Sequence, residues 1–331
     1  MFKTILIVYL VVLLSGCKHN ERDVAVQLPA MVSKEDGQIL SQQTITFEDE
    51  ELKQKLNEIF PDLLNQIKDV KFSKIIYVSD GLRVIAYVAE PKKAGKYPCI
   101  ISNRGGNRSF GQWNPITINY LLGTMAHWGY VVVATQYRGN DGGEGVEDFG
   151  GADVNDALNL VRVLKQIPNA DSMRIGIEGT SRGGMTTYLA LKKTCLFKAA
   201  AVTAAPTNLF EAVENRPEMK KICEELIPNY EQNREVALKE RSAIYWADQI
   251  CKTTPLLILQ GSADKRVDAQ EAITLLAKLQ QQKHPTRFLL FEGADHIINE
   301  YREEHMEAMK KHFDYYLRDG KPLPNMEPHG K

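Results

Sequence analysis

A short turn between a strand and a helix constrains this chain more than any other stretch. Residues 175–177 are apolar, residues 184–191 have helical character, and Gly179-Thr-Ser181-Arg-Gly183 lies between them. A strand-to-helix turn of this kind strains the backbone of its central residue and lifts the hydroxyl clear of the sheet. A Cβ on either flanking glycine would collide with the neighbouring strand or helix. The pattern therefore predicts an accessible, reactive serine at position 181.

A serine hydroxyl is a weak nucleophile without a base, and the base needs a carboxylate to orient it. Both partners are expected downstream, in the order Asp then His, each just past the end of a strand. The apolar segment 255–261 is followed by Asp264, and the strand-like segment 286–291 is followed by His296. The predicted triad is Ser181, Asp264 and His296.

From residue 97 onward, strand and helix patterns alternate. Strands are predicted at 97–103, 130–136, 173–178, 198–204, 255–261 and 286–291, and helices at 114–127, 152–167, 184–193, 267–282 and 298–318. Alternation of this kind indicates an α/β fold, a mostly parallel sheet with helices on both faces. A hairpin around Asp80-Gly81 is expected to add antiparallel edge strands. Charged helical sequence at 206–252 interrupts the alternation and predicts a small lid.

The N-terminus differs in composition from the rest of the chain. A basic start is followed by an apolar run at 4–14, which is too short to span a bilayer comfortably, and then by Leu14-Ser-Gly-Cys17. This resembles the lipobox of bacterial lipoproteins, which implies that Cys17 is lipidated and that the protein is anchored in the bacterial cell envelope, periplasmic or surface-facing. An ordinary secretory signal or an uncleaved anchor is the alternative.

The predicted organisation has five parts. They are a signal peptide at 1–17, a polar tether at 18–45, a helical extension at 46–70, a catalytic domain at 71–320 with its lid at 206–252, and a tail at 321–331. In the extension, apolar residues recur at helical spacing and Pro61 is expected to kink or split the helix.

Four cysteines remain after Cys17. Cys99 falls inside a predicted strand and Cys195 at a helix end, which favours buried free thiols for both. Cys223 and Cys251 flank the predicted lid, and export would permit a disulfide between them.

Charge and motif spacing limit the partners. The formal net charge is −1 and no basic run occurs, so no nucleic-acid partner is expected. His305 and His312 lack the carboxylate spacing of a zinc motif, and no G-x-G-x-x-G follows a strand. We therefore expect neither a metal nor an organic cofactor.

Several spaced motifs resemble the catalytic domain of the prolyl oligopeptidase family. They are the turn at 179–184, Tyr137-Arg-Gly after a strand, the segments 242–250 and 254–267, and Gly293-Ala-Asp-His296. The resemblance covers roughly residues 75–318. It implies an α/β-hydrolase fold and places nucleophile, acid and base on Ser181, Asp264 and His296. Peptidases of the family usually carry a large β-propeller before this domain, whereas fewer than a hundred residues precede it here.

The loop after the strand 97–103 departs from the family. Many members have His-Gly-Gly or a tyrosine there, while this chain has Arg104-Gly105-Gly106, so no tyrosine hydroxyl is available. Backbone amides of Gly105, Gly106 and Arg182 are expected to form the oxyanion hole. Arg104 and Arg108 are candidates for lining a substrate pocket.

Three further alternatives remain open from the sequence. Arg182 could bind a substrate carboxylate, or it could form a salt bridge with Glu178 or Asp153. The triad serves acyl transfer in general, so hydrolysis of short peptides and hydrolysis of small acyl esters are both compatible with it. A catalytically silent binding lipoprotein is an alternative of another class, and the three triad residues at three strand ends argue against it.

Overall fold

Nine strands form one mixed sheet in the computed structural model, which describes residues 35–330. In chain order they are β1 (Ile39–Ile45), β2 (Val70–Ser79), β3 (Leu82–Pro91), β4 (Tyr97–Asn103), β5 (Val131–Thr135), β6 (Ala170–Thr180), β7 (Ala199–Thr203), β8 (Leu256–Gly261) and β9 (Thr286–Phe291). Their order across the sheet is β1-β2-β3-β5-β4-β6-β7-β8-β9.

The first part of the sheet is antiparallel. β2 and β3 pair from Val70↔Pro91 to Ser79↔Leu82, as predicted for a hairpin. Both turn residues are left-handed, Asp80 at φ 50° and Gly81 at φ 76°, which matches the right-handed twist of the strands. The hairpin is not the edge of the sheet, because β1 pairs antiparallel with β2 outside it. The predicted tether at 18–45 is therefore wrong for residues 39–45, which form that edge strand.

The remaining strands pair in parallel from β5 through β4, β6, β7 and β8 to β9. Within residues 35–330, ten α-helical segments surround the sheet. They are α1 (Glu50–Ile59), α2 (Leu63–Gln66), α3 (Pro115–Thr117, the π-helical Ile118–Leu122 and Gly123–His127), α4 (Val154–Leu164), α5 (Arg182–Lys193), α6 (Leu209–Asn215), α7 (Pro217–Leu226), α8 (Tyr230–Glu240), α9 (Ala269–Gln281) and α10 (Arg302–Phe313, continued by the π-helical Asp314–Arg318). The predicted α/β architecture is confirmed.

Side chains alternate between the two faces of the sheet and fill two cores. Ile75, Tyr77 and Ile101 point to the face covered by α4, α5 and α9. Ile76, Ile85 and Ile100 point to the opposite face, which is covered by α1–α3 and α10. Burial on both faces explains why the parallel strands read as continuous apolar runs.

The N-terminal helical extension packs on the body of the domain. Leu56, Leu63 and Ile67 are buried in the same core as β2 and β3. The helix ends at Ile59 and resumes at Leu63, so it is split at Pro61 as predicted.

The predicted interruption between β7 and β8 is present. We call residues 206–252 the insertion; it contains α6, α7 and α8 and two short 3-10 turns. Leu209, Val213 and Leu226 belong to the core on the α4–α5 face, so the insertion is packed against the domain.

The predicted disulfide is wrong. Cys251 is bonded to Cys195, with the two Cα atoms 5.4 Å apart, and Cys223 is a buried free thiol. The end of the insertion returns to the end of α5, where the amide of Cys251 donates to the carbonyl of Leu191 at 3.1 Å. The side chain of Cys223 instead faces the core of the insertion. The expected free thiol at Cys99 is confirmed, whereas the free thiol expected at Cys195 is wrong, because Cys195 is disulfide-bonded.

Cys17 and the predicted signal lie outside the described residues. Within residues 35–330, no helix is both long enough and apolar enough to cross a bilayer. Residues 321–330 are irregular, as expected for the tail.

Candidate active site

Ser181 is the single residue between the end of β6 and the start of α5. Its backbone is left-handed at φ 57° and ψ −125°, a conformation that costs energy for a residue with a side chain. The turn is anchored from below, because the Ser181 amide donates to the Thr203 carbonyl on β7 at 2.8 Å. The predicted serine turn, residues 179–183, is confirmed in its geometry.

The flanking glycines allow the turn to be this tight. A Cβ on Gly179 would lie 2.2 Å from the carbonyl oxygen of Gly183. A Cβ on Gly183 would lie 1.9 Å from the carbonyl oxygen of Asn103, the last residue of β4. Both distances are far inside van der Waals contact, so neither position tolerates a side chain without displacing the helix or the strand.

Asp264 and His296 are brought together after β8 and β9. His296 Nδ1 lies 2.7 Å from Asp264 Oδ2, and the aspartate also accepts from the amides of Arg266 at 2.7 Å and Val267 at 3.1 Å. Gln260 Nε2 donates to the same carboxylate at 3.2 Å. The two loops can approach because a Cβ on Gly261 would lie only 2.3 Å from the carbonyl oxygen of Asp295.

The electrostatics of this pair favour an ionised aspartate. Burial by itself would raise the pKa of Asp264, but the hydrogen bond and charge of His296 and the two amides outweigh it. The pKa of Asp264 therefore lies below its usual value. A carboxylate in this position holds the imidazole with Nδ1 as the donor and leaves Nε2 to act as the base.

The parallel order of the strands places the three residues along one edge of the sheet. β6, β7, β8 and β9 are adjacent, and Ser181, Asp264 and His296 follow the carboxyl ends of β6, β8 and β9. His296 keeps 11% of its side chain exposed, whereas the Asp264 side chain is fully buried. The base is thus reachable from solvent and its carboxylate is not.

The loop after β4 passes directly beside the serine. We call residues 104–111 the glycine loop. A Cβ on Gly105 would lie 3.2 Å from Ser181 Cβ and 3.9 Å from Ser181 Oγ, and Gly106 is left-handed at φ 71°. Among residues 35–330, none accepts a hydrogen bond from the main-chain amides of Gly105, Gly106 or Arg182. These unpaired donors are the three amides that the sequence predicts for an oxyanion hole.

Arg104 does not line a pocket, so the substrate-binding role expected from the sequence is wrong. Its side chain is buried beneath the glycine loop, with 3% of the residue exposed. The guanidinium instead donates to main-chain carbonyls of Gly105, Arg108, Phe110 and Gln136 at 3.0–3.3 Å. A planar fork of five donors suits this task, since it reaches several carbonyls at once.

Arg182 is also buried, and of its two predicted roles the salt bridge is the one observed. Its guanidinium pairs with Glu147 at 2.5 Å and with Asp153. Glu178, the other acid considered, instead accepts a hydrogen bond from Ser102. Burial raises the pKa of Asp153 and the charge of Arg182 opposes the rise, which leaves that pKa at about 6.

Arg108 stands at the surface of the glycine loop. Its guanidinium pairs with Glu225 of α7 at 2.5 Å, which links the loop to the insertion. Its amide donates to Glu147, which therefore contacts both the loop and Arg182. Sequence reasoning did not find Glu147, because it lies in a glycine-rich segment without periodicity.

The exposed rim of the site contains apolar and cationic groups. Phe110 and Ile297 are 43% and 44% exposed, on the glycine loop and next to His296. The guanidinium of Arg266, two residues after Asp264, lies 5.7 Å from the centre of the Phe110 ring. Across residues 35–330, no group of His, Cys, Asp and Glu side chains has an arrangement that could hold a metal ion.

Comparison with known proteins agrees with this geometry. Residues 117–321 match the prolyl oligopeptidase family. A Bacillus subtilis protein, the uncharacterized peptidase YtmA, is 33% identical over 231 residues, which cover 69% of this chain and 87% of that protein. This chain belongs to the prolyl oligopeptidase family. It is therefore a serine hydrolase of the peptidase type.

Other relatives are longer proteins. Dipeptidyl-peptidase 5 of Porphyromonas gingivalis is 28% identical, and the match covers 66% of this chain but 34% of that protein. Among solved structures, a Pyrococcus horikoshii acylaminoacyl peptidase superposes with a TM-score of 0.67 at 21% identity, over 80% of this chain and 44% of the other. A puromycin-hydrolyzing peptidase of Mycobacterium tuberculosis gives 0.59 at 26% identity, over 76% and 38%. The α/β-hydrolase fold implied by the sequence is confirmed.

Proposed function

We propose that this chain hydrolyses short peptides through an acyl-enzyme on Ser181. The observation that carries the proposal is the left-handed Ser181 on the β6–α5 turn, on the same sheet edge as a His296–Asp264 pair at 2.7 Å. A strained serine on the same sheet edge as an oriented imidazole fits the arrangement that nucleophilic acyl transfer requires.

Each triad residue has one role in this reaction. His296 Nε2 takes the proton from Ser181 Oγ as the oxygen attacks the carbonyl carbon of the scissile bond, and the carbonyl oxygen becomes an oxyanion. The oxyanion collapses, the amine leaves with the proton held by His296, and Ser181 keeps the acyl group. Water then attacks the ester with the same proton relay and releases a carboxylic acid. Asp264 stays ionised and stabilises the imidazolium in both halves.

The oxyanion is accepted by main-chain amides. The amides of Gly105, Gly106 and Arg182 have no partner among the described residues; Gly105 packs against Ser181, and Arg182 follows it directly in the chain. Such donors are in place before the charge develops, so no reorganisation is needed as it forms.

The rim of the site favours peptides over simple esters. Phe110 and Ile297 offer apolar contact, and Arg266 offers donors to main-chain carbonyl oxygens. The names of relatives point the same way, since they include dipeptidyl and acylaminoacyl peptidases. Exposed arginines near the serine would favour anionic substrates, but Arg104 and Arg182 are buried and Arg182 is neutralised by two carboxylates. That preference loses its support.

A substrate panel separates the two acyl chemistries. We expect aminoacyl- and dipeptidyl-naphthylamides to be cleaved, and p-nitrophenyl esters to turn over faster because their leaving group needs less protonation. Ser181→Ala should abolish both activities. Cleavage of short-chain esters with every amide inert would replace the peptidase proposal by the carboxylesterase or acetylesterase alternative. Unchanged turnover by Ser181→Ala would remove the mechanism.

We also propose that the chain is anchored in the bacterial cell envelope through a lipid on Cys17. Leu14-Ser-Gly-Cys17 supports this, following an apolar run of signal-peptide length. Several acyl chains on one cysteine hold a protein on a membrane stably. Labelled palmitate should enter the wild-type protein and not Cys17→Ser. An unlabelled wild type would contradict the proposal.

A further inference from the structure

The carbonyl oxygens on one side of the glycine loop are all occupied by buried side chains. The Arg104 carbonyl accepts from Tyr137 Oη at 3.3 Å, the Gly105 carbonyl from Arg104 Nη1 at 3.1 Å, and the Gly106 carbonyl from Arg182 Nη1 at 3.0 Å. Three successive peptide groups are thus each held at their oxygen from beneath the loop.

Holding an oxygen also sets the direction of the next amide. In a planar trans peptide the C=O of one residue and the N–H of the next point in opposite directions. The contacts on the Arg104 and Gly105 carbonyls therefore turn the amides of Gly105 and Gly106 away from the buried side chains that hold those carbonyls. Gly105 itself lies against Ser181, since a Cβ on it would be 3.2 Å from Ser181 Cβ. A flexible glycine pair would otherwise be free to present its carbonyls there instead.

The guanidinium of Arg104 is anchored at the base of the loop. Nε and Nη2 donate to the carbonyl of Gln136, directly after β5, at 3.1 and 3.0 Å. Nη1 and Nη2 also reach Phe110 at 3.3 Å and Arg108 at 3.1 Å, near the far end of the loop. One side chain therefore connects both ends of the loop to the sheet.

The two guanidinium groups are kept in place by a ring and two acids. The Tyr137 ring is 5.2 Å from the Arg104 guanidinium and 4.6 Å from that of Arg182. Glu147 pairs with Arg182 at 2.5 Å and lies 3.9 Å from Arg104, and Asp153 completes the neutralisation. Burial and the nearby charge of Arg182 lower the pKa of Arg104 to about 10, so it remains charged at neutral pH. A cation on a peptide oxygen also polarises that peptide and strengthens its N–H as a donor.

We propose that Arg104 is a positioning residue for transition-state stabilisation, with Arg182 and Tyr137 as its partners. It acts through the amides of Gly105 and Gly106 and contacts no substrate. The inference rests on the proposed acyl-enzyme chemistry of Ser181, and it explains why this loop can dispense with a side-chain donor of its own.

The first test compares turnover with the binding of a transition-state analogue. Arg104→Met should lower kcat per active site about 100-fold, the typical loss for one oxyanion donor, and leave KM within about threefold. Affinity for a peptidyl boronic acid, which forms a tetrahedral adduct, should fall in parallel, while a product-like peptide should bind as before. Active sites are counted by fluorophosphonate titration, so misfolded protein is not scored.

Arg104→Lys is the variant to measure if Arg104→Met does not fold. Lysine keeps the charge and length but offers one point of donation in place of a fork, so kcat and boronate affinity should fall together by at least about tenfold. Arg174→Met is the matched control, since Arg174 also donates to two main-chain carbonyls but lies on β6 far from the serine turn. It should keep the wild-type kcat.

Two results overturn the inference. One is a wild-type kcat per titrated site in Arg104→Lys. The other is a loss that appears in KM and in product-like peptide binding as strongly as in boronate binding. Either leaves the proposed function standing if Ser181 is still labelled. Absence of labelling in the wild type would instead remove the proposed function itself.

Discussion

Asp264 and His296 are held by hydrogen bonds within two neighbouring loops, whereas the glycine loop is held by buried side chains from three separate segments. The aspartate is fixed by His296 and by the amides of Arg266 and Val267. Arg104 and Arg182 donate to the carbonyls of Gly105 and Gly106, and Tyr137 donates to the carbonyl of Arg104. The acid–base half of the site is therefore local and partly exposed, and the amide half is long-range and buried.

This difference predicts how mutations in each half of the site affect catalysis and stability. A change at the acid–base half should alter chemistry with little effect on folding, because its loops lie at the edge of the sheet. A change among the buried ions should alter both the catalytic rate and the stability of the fold, because removing one partner leaves another charge buried and unpaired.

The largest expected effect is on the acid–base half. In Asp264→Asn, the amide can donate to Nδ1 and favour the imidazole tautomer that is protonated on Nε2, which cannot act as the base. We expect kcat to fall by about 10³–10⁴-fold with the unfolding free energy little changed. Asp268→Asn is the control in the same loop, since Asp268 only caps α9. A fall in kcat of less than tenfold in Asp264→Asn would contradict the role of Asp264 in orienting His296.

The second-largest expected effect is a loss of stability when one of the buried ions is removed. Glu147→Gln leaves Arg182 and Arg104 with Asp153 as their one acid in this cluster. We expect the unfolding free energy to drop by about 3 kcal/mol, measured by urea denaturation, because a buried charge is left uncompensated. Glu144→Gln, on the same segment, removes a partly exposed partner and should cost at most about 1 kcal/mol. Equal losses in the two variants would contradict the distinction.

A smaller effect concerns Glu178 of β6, which is buried three residues before the serine and has Ser102 as a hydrogen-bond donor. Burial raises its pKa from 4.5 to about 7. The folded protein thus holds a proton between these pH values that the unfolded protein has released. The unfolding free energy must therefore decrease through this group as pH rises from 4.5 to 7.

Glu178→Gln removes this dependence. Relative to the wild type, the variant should gain about 2 kcal/mol between pH 5 and pH 8, measured by urea unfolding of both proteins at each pH. A difference between variant and wild type that is the same at both pH values would show that Glu178 titrates normally.

The same contrast explains what the sequence could predict. The serine turn, Asp264 and His296 follow strand ends and have local signatures, so their positions were predicted residue by residue. The roles of Arg104 and Glu147 depend on segments that come together only in the folded protein. Their spacing along the sequence gives no indication of these roles. The disulfide prediction was wrong for the same reason, since Cys251 bonds Cys195, just after α5, rather than Cys223 on α7. Strand β1 was missed because an edge strand that buries little surface carries a weak pattern.

The proposed mechanism requires Ser181 to be the nucleophile of this site. A fluorophosphonate probe followed by peptide mapping tests it most directly. We expect one adduct, on the peptide that contains Ser181, in the wild type, no adduct in Ser181→Ala, and much slower labelling in His296→Ala. An adduct that persists in Ser181→Ala, or that maps to another residue in the wild type, would show that Ser181 is not the nucleophile.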